Sequence, residues 1–226
     1  MREQGILPIA VDLPGHGPRA EAPSRGFTLD DAIAAVDEKT TNLDHYDLIG
    51  YSMGGRIALH VALARPDRVR KLVLESASPG LSSNKDRMER IEEDGRLATS
   101  IEREGIADFV KRWEKLPIFA SQKGLPPEVR DRVRSQRMEN KPAALACALR
   151  GLGTGMLSSL WGRLECLECP TLLIVGASDI KFVSIARKME SFIPDVCRVE
   201  VEGVGHAVHL ESPKMWIQSV VPFLLV

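Results

Sequence analysis

Apolar residues in this chain fall in short blocks separated by amphipathic stretches, and the blocks set an order of elements. Residues 6–11 form an apolar run that ends in the turn-rich Asp12-Leu13-Pro14-Gly15-His16-Gly17. That pattern predicts a buried strand with a loop at its C-terminal end. Residues 28 to about 40 have helical spacing, and Thr28 with Asp31 has the spacing of a capping box. Residues 47–50 predict a second strand, 53–64 a helix stopped near Pro66, and 69–75 a third strand with Leu72, Val73 and Leu74 as its core. Strand character returns at 171–176 and 198–201, each followed by a loop and a helix, the last from about 213 to 223. Strands alternating with helices predict a mostly parallel sheet covered on both faces.

Between residues 82 and 155 the texture changes. Arg, Glu and Met recur at helical spacing, with breaks at Gly95, Gly105, Pro117 and Pro126-Pro127. This stretch reads as a helical cap inserted into a core made of residues 1–81 and 156–226.

Length and composition narrow the picture without supplying chemistry. The 226 residues suit one α/β domain carrying an insertion. With 30 basic and 31 acidic residues the net charge is -1, so no overall field favours nucleic acid or an anionic membrane. No stretch approaches the ~18 apolar residues of a spanning helix, and the first residues lack a signal-peptide pattern. Of the four cysteines, Cys166 and Cys169 have C-x-x-C spacing, but no second Cys or His pair completes a zinc set. They read as ordinary reduced thiols, and the chain as a cytoplasmic protein needing no metal or cofactor.

The chemistry centres on Gly50-Tyr51-Ser52-Met53-Gly54-Gly55, a G-x-S-x-G motif between a predicted strand and a predicted helix. In that context the serine projects above the sheet, and the helix start turns its free N–H groups toward a developing oxyanion. A serine hydroxyl needs a base, and the base an orienting carboxylate. Asp179 follows the strand ending at Gly176, and His206 follows the next strand, 27 residues later. Both lie at C-terminal strand ends, in the chain order Ser, acid, His that this arrangement requires. The rivals are weaker. Asp195 follows a proline in an exposed turn, His209 suits a substrate contact or packing, His16 a turn, His45 the surface and His60 a helix.

The segments 11–17 and 50–56 and the histidine loop together resemble the α/β-hydrolase superfamily. A narrower set consists of Glu75-Ser76-Ala77-Ser78-Pro79-Gly80-Leu81, Trp113 with Leu116-Pro117-Ile118-Phe119, residues 149–155, and Asp179-Ile180-Lys181-Phe182. This set resembles the 2-succinyl-6-hydroxy-2,4-cyclohexadiene-1-carboxylate synthase family of menaquinone or, in plants, phylloquinone biosynthesis. The resemblance implies an α/β-hydrolase fold and a lyase, not a hydrolase. Pyruvate is eliminated from 2-succinyl-5-enolpyruvyl-6-hydroxy-3-cyclohexene-1-carboxylate, with the Ser52–His206–Asp179 triad abstracting a proton.

Such a small polycarboxylate calls for cations, and the family positions point to Arg56, Arg96 and Arg137. Tyr51, Met53 and Trp113 join them as expected substrate contacts, Met53 through its backbone N–H. The rival readings are an ester or thioester hydrolase with the same triad, and an inactive hydrolase-like protein. The resemblance implies no metal, cofactor, nucleic acid or membrane partner, a monomer or weak homo-oligomer, and a plastid location in a plant.

The front of the chain departs from the pattern. The family carries early strands and a His-Gly-Phe-type loop ahead of the Asp12 segment, and that loop supplies one oxyanion donor. Here they are missing, so a truncated chain is expected, with one absent strand between 6–11 and 47–50. Losing one oxyanion donor costs about 10²–10³ in rate in hydrolytic enzymes, so weak or no activity is expected.

Overall fold

In a computed structural model, which describes residues 4–17 and 20–226, the elements follow the hydrophobic blocks closely. Helix α1 (Leu29–Lys39) opens with a capping box. The Asp31 carboxylate accepts the Thr28 N–H at 2.8 Å, and the Thr28 hydroxyl accepts the Asp31 N–H at 3.4 Å. Strand β1 (Tyr46–Tyr51) leads into helix α2 (Met53–Ala64), which is buried from Gly55 to Ala62, and then into strand β2 (Val69–Glu75).

A run of helices follows before the next strand. These are α3 (Asn84–Trp113), the 3-10 helix Pro117–Gly124, α4 (Pro127–Met138), α5 (Pro142–Leu152) and the 3-10 helix Trp161–Cys166. Strand β3 (Thr171–Gly176), α6 (Ile180–Glu190), β4 (Val196–Val201), α7 (Val208–Glu211) and α8 (Pro213–Leu225) complete the chain.

The four strands form one parallel sheet in the order β1-β2-β3-β4. β3 is buried at all six positions, as a central parallel strand covered on both faces must be. Alternation sorts its side chains. Leu173 and Val175, with Leu72 and Leu74 of β2, face a core built from α1, α2 and α6. Leu172 and Ile174, with Val73, face Val220 and Leu224 of α8. A third cluster, separate from the sheet, packs Ala98, Ile101, Phe109 and Val110 of α3 on Ala146 of α5.

Two sequence expectations are corrected. Residues 6–11 form no strand: Leu7 is 76% exposed and Ile9 46%. An apolar run becomes a strand only when a neighbouring strand takes up its N–H and C=O groups, and among the described residues, 6–11 pair with none of the four strands. Gly95 does not break α3 either, since one glycine costs a helix only about 1 kcal/mol. The break is at Gly105, which adopts φ 84° and ψ 175° and kinks the helix.

The turn from β1 to α2 positions the site. Ser52 lies at φ 51° and ψ -111°, and its N–H donates to the Glu75 carbonyl at 2.8 Å, fastening the turn to β2. The tightness rests on Gly50 and Gly55. A Cβ on Gly50 would lie 2.6 Å from the Gly55 Cα, and one on Gly55 would lie 2.5 Å from the Ala77 Cβ. A Cβ on Gly54 meets nothing within 4 Å.

Gly55→Ala should destabilise the chain by about 1–3 kcal/mol through overpacking. Gly54→Ala, inside the helix and free of contacts, should be neutral or stabilising by up to about 1 kcal/mol. Urea denaturation of both checks this, and equal effects would contradict it. His60, 7% exposed and with no partner for Nε2, has its pKa pushed down to about 4, by burial first and then by the charges of Arg56 and Arg163. The fold therefore holds the neutral ring. This stability is complete above the unfolded pKa of about 6.5 and is lost as pH falls toward 4, on the order of 3 kcal/mol. The stability difference between the wild type and His60→Gln should shrink over that window in paired denaturation curves.

Candidate active site

Three strand ends converge. The strained turn after β1 presents Ser52, the loop after β3 presents Asp179, and the loop after β4 presents His206. His206 Nε2 lies 2.9 Å from Ser52 Oγ, and His206 Nδ1 lies 2.6 Å from Asp179 Oδ2. A carboxylate only accepts, so Nδ1–H donates to Asp179, and the Ser52 hydroxyl donates to the free Nε2 lone pair. Asp179 is held in turn as the N-cap of α6, its Oδ1 accepting the Phe182 N–H at 3.4 Å. The loops touch because Gly176 has no side chain: a Cβ there would lie 2.1 Å from the Gly205 carbonyl oxygen.

The imidazole of His206 is 2% exposed and ringed by aromatics. Phe182 lies 4.6 Å away between centroids, Tyr51 5.3 Å and Phe119 6.3 Å. Water is largely excluded from the His206–Asp179 pair, which strengthens each charge interaction there. A cleft of about 590 Å³ opens beside it, lined by Leu116, Pro117, Ile118, Ala120 and Ser121 on one side. Ser178, Asp179, Lys181, Gly205 and His206 line the other.

The expected substrate contacts divide. Tyr51 stands between two histidines, 5.3 Å from His206 and 4.8 Å from His209. Burial, and next the Glu75 charge, push its hydroxyl pKa up, against the opposing pull of Arg137, so it stays protonated. Met53 begins α2 directly after Ser52, where a helix N–H has no intrahelical partner. Trp113 is half-buried between Phe109 and Phe119, at 5.2 and 5.7 Å, so it backs the aromatic wall. Arg137 lies over the Phe119 ring at 5.1 Å and 3.5 Å from Glu114. It borders a second cleft of about 380 Å³ that also exposes Arg130 and Arg134.

Two arginines depart from the expectation that they contact substrate. Arg96 is not brought to the site. Because α3 continues through Gly95, Arg96 stays on an outer face, 70% exposed and 3.8 Å from Glu92 one turn earlier. Arg56 is buried and turned toward the end of α5, donating to the Thr154 hydroxyl at 2.5 Å and the Leu152 carbonyl at 3.2 Å. Its pKa falls to about 10, through burial first and then the neighbouring Arg90, with Asp94 opposing. Asp94 itself accepts from Arg90 Nε at 2.8 Å, and burial raises its pKa.

Among the rivals, His209 is committed elsewhere. Its backbone N–H and ring Nδ1 both meet Glu75 Oε1, at 3.1 and 2.7 Å, while Trp216 donates to Oε2 at 2.8 Å. His16 contacts the Pro14 carbonyl, His45 is exposed beside the Asp67 carbonyl, and Asp195 is exposed. The cysteines are free, Cys166 exposed and Cys169 buried. Among the described residues no group of three potential metal ligands occurs, and no helix is long and apolar enough to cross a membrane.

Sequence reasoning missed three carboxylates: Glu75 holds His209 and Trp216, Asp94 accepts from Arg90, and Glu211 accepts the Gly205 and Ala207 N–H groups. Glu75 was read only as part of a signature, and Asp94 and Glu211 were not singled out. A charged residue closing an apolar strand was the available signal for Glu75, which is 1% exposed.

Comparison with known proteins gives the family. The α/β-hydrolase family profile matches residues 2–218. A protein of Salmonella paratyphi B named 2-succinyl-6-hydroxy-2,4-cyclohexadiene-1-carboxylate synthase is 30% identical over 97% of this chain and 84% of its own. A Bacillus subtilis protein carrying that name provisionally is 41% identical over 96% of this chain and 80% of its own. The structure of MenH from S. aureus superposes with a TM-score of 0.91 at 37% identity, covering 95% of this chain and 81% of that one. The chain therefore belongs to the α/β-hydrolase family and, within it, to the 2-succinyl-6-hydroxy-2,4-cyclohexadiene-1-carboxylate synthases.

Proposed function

We propose that this chain is a lyase that eliminates pyruvate from 2-succinyl-5-enolpyruvyl-6-hydroxy-3-cyclohexene-1-carboxylate, yielding 2-succinyl-6-hydroxy-2,4-cyclohexadiene-1-carboxylate in menaquinone biosynthesis. The observation that carries the mechanism is the hydrogen-bonded line Asp179–His206–Ser52 in a member of this family. Ser52 gives its proton to His206 Nε2 and, as an alkoxide at the start of α2, removes a proton from the substrate. The electrons released break the C–O bond and expel enolpyruvate, which takes the proton held by the His206 imidazolium and tautomerises to pyruvate. Asp179 holds the tautomer and stabilises the imidazolium that forms.

Arg137 fits a carboxylate contact: it is partly exposed, borders a cleft, and its charge reaches Tyr51. Arg56 ties α2 to the end of α5, and Arg96 lies outside the substrate site. The helices within 82–155 serve as the cap over a core of 1–81 and 156–226. To this reading also belong a small-molecule partner, no nucleic acid, a cytoplasmic location and a monomer or weak homo-oligomer.

Pyruvate release, followed by coupled oxidation of NADH through lactate dehydrogenase, tests the assignment. Ser52→Ala and His206→Ala should each lower kcat by about 10²–10⁴-fold, the range for a positioned base. Rapid turnover of a p-nitrophenyl ester with no pyruvate formed would instead favour the hydrolase reading.

The arginines provide a second test. Arg137→Ala should lower kcat/KM about 10–100-fold, the value of a charged hydrogen bond. Arg96→Ala should stay within about twofold, as an exposed pair contributes little. Equal losses in the two variants would contradict the placement.

A further inference from the structure

His206 sits in a short connection between β4 and α7 that the sheet cannot hold by itself. Gly203 takes a left-handed φ of 71°, and Val204 is tied to the rest of the fold by accepting the Ser178 N–H at 2.9 Å. The N–H groups on either side of the histidine, those of Gly205 and Ala207, find no backbone acceptor among the described residues. Both are taken by one side chain. Glu211 Oε2 accepts the Gly205 N–H at 2.7 Å, and Oε1 accepts the Ala207 N–H at 3.2 Å. Two residues on, the His209 N–H goes to the buried carboxylate of Glu75. Alternate amides from 205 to 209 are thus gathered by two carboxylates.

The clamp also has a hard wall. A Cβ on Gly205 would lie 2.0 Å from Ser121 Oγ and 3.2 Å from Glu211 Oε2, so the loop is pressed between the 3-10 helix Pro117–Gly124 and Glu211. α7 has only four residues, and Glu211 reaching back to the Ala207 N–H extends the logic of a capping box to the loop ahead of the helix. Charged acceptors make stronger and better-directed bonds to backbone N–H than neutral ones.

We infer that Glu211 is a positioning residue: by bridging the amides that flank His206, it sets where Nε2 stands relative to Ser52 and how Nδ1 meets Asp179. It need not touch substrate. This rests on reading Ser52–His206–Asp179 as the reacting unit, but not on which substrate that unit serves.

Glu211→Gln is the sharpest variant, because it keeps the shape while replacing one acceptor with an NH₂ that faces a backbone donor. Four readouts decide, on the full chain. Pyruvate release should lose about 10-fold or more in kcat with KM within about twofold, as expected for a displaced reacting group. Labelling of Ser52 by a fluorophosphonate should slow in parallel. The His206 Nδ1–H proton resonance should shift or broaden, which loss of global stability alone would not cause in a folded protein. In the wild type, the Gly205 and Ala207 amides should be protected from hydrogen exchange.

A folded Glu211→Gln with kcat, labelling and the Nδ1–H signal all unchanged would overturn the proposal. Unprotected Gly205 and Ala207 amides in the wild type would also overturn it, even if the variant does not fold. If the wild type turns over a p-nitrophenyl ester and releases no pyruvate, the lyase reading fails, while the resonance and the exchange rates still judge Glu211.

Discussion

A strand can pass into a helix within one residue only if two backbones nearly touch. In this chain that contact is between Gly50 and Gly55, and its consequence is the left-handed Ser52. A non-glycine residue held in this sparsely populated region costs about 1–3 kcal/mol, and it persists only where its surroundings leave no alternative. Those surroundings are the Ser52 N–H bonded to the end of β2 and the burial of α2 from Gly55 to Ala62 against the sheet. The strain places a hydroxyl above the sheet where Asp179 and His206 arrive from β3 and β4. Everything chemical in the molecule depends on that one turn.

Around it lie two carboxylate–imidazole pairs of similar geometry, Asp179 with His206 at 2.6 Å and Glu75 with His209 at 2.7 Å. Only the first reaches Ser52. The second is built into the end of β2 with Trp216, and Tyr51 fills the space between the two rings. The arrangement separates function from support. One pair ends on the Ser52 hydroxyl, and the other ties the loop and helix after β4 to the end of β2. The helices between β2 and β3 add Phe119 near the His206 ring, with Trp113 and Arg137 packed against it, so an aromatic wall backs the histidine.

Much of this was legible in the sequence because the signals were local. α2, β2 and β3 have the bounds their hydrophobic blocks predict, and the capping box at Thr28 and Asp31 is formed. The positions of Ser52, Asp179 and His206 followed from strand ends and chain order. What failed depended on partners distant in the chain. Residues 6–11 have strand composition but pair with none of the described strands. Arg96 and Arg137 look alike as letters, yet α3 turns one to solvent and α4 the other against Phe119. Arg56 has the spacing to face the cleft, but Thr154 and Leu152, nearly a hundred residues away, draw it inward. Glu211 lies five residues from His206 without any periodicity marking it as a clamp on the loop.

The central claim is that this strained serine works as a base on carbon rather than as a nucleophile on an acyl group. A substrate deuterated at the position Ser52 is to deprotonate tests it most directly, through the primary isotope effect on single-turnover pyruvate release. The account predicts a clear normal effect, because breaking the C–H bond is the step that the Ser52–His206 pair carries out. Release at the same rate from both isotopologues, with a covalent adduct accumulating on Ser52, would contradict it.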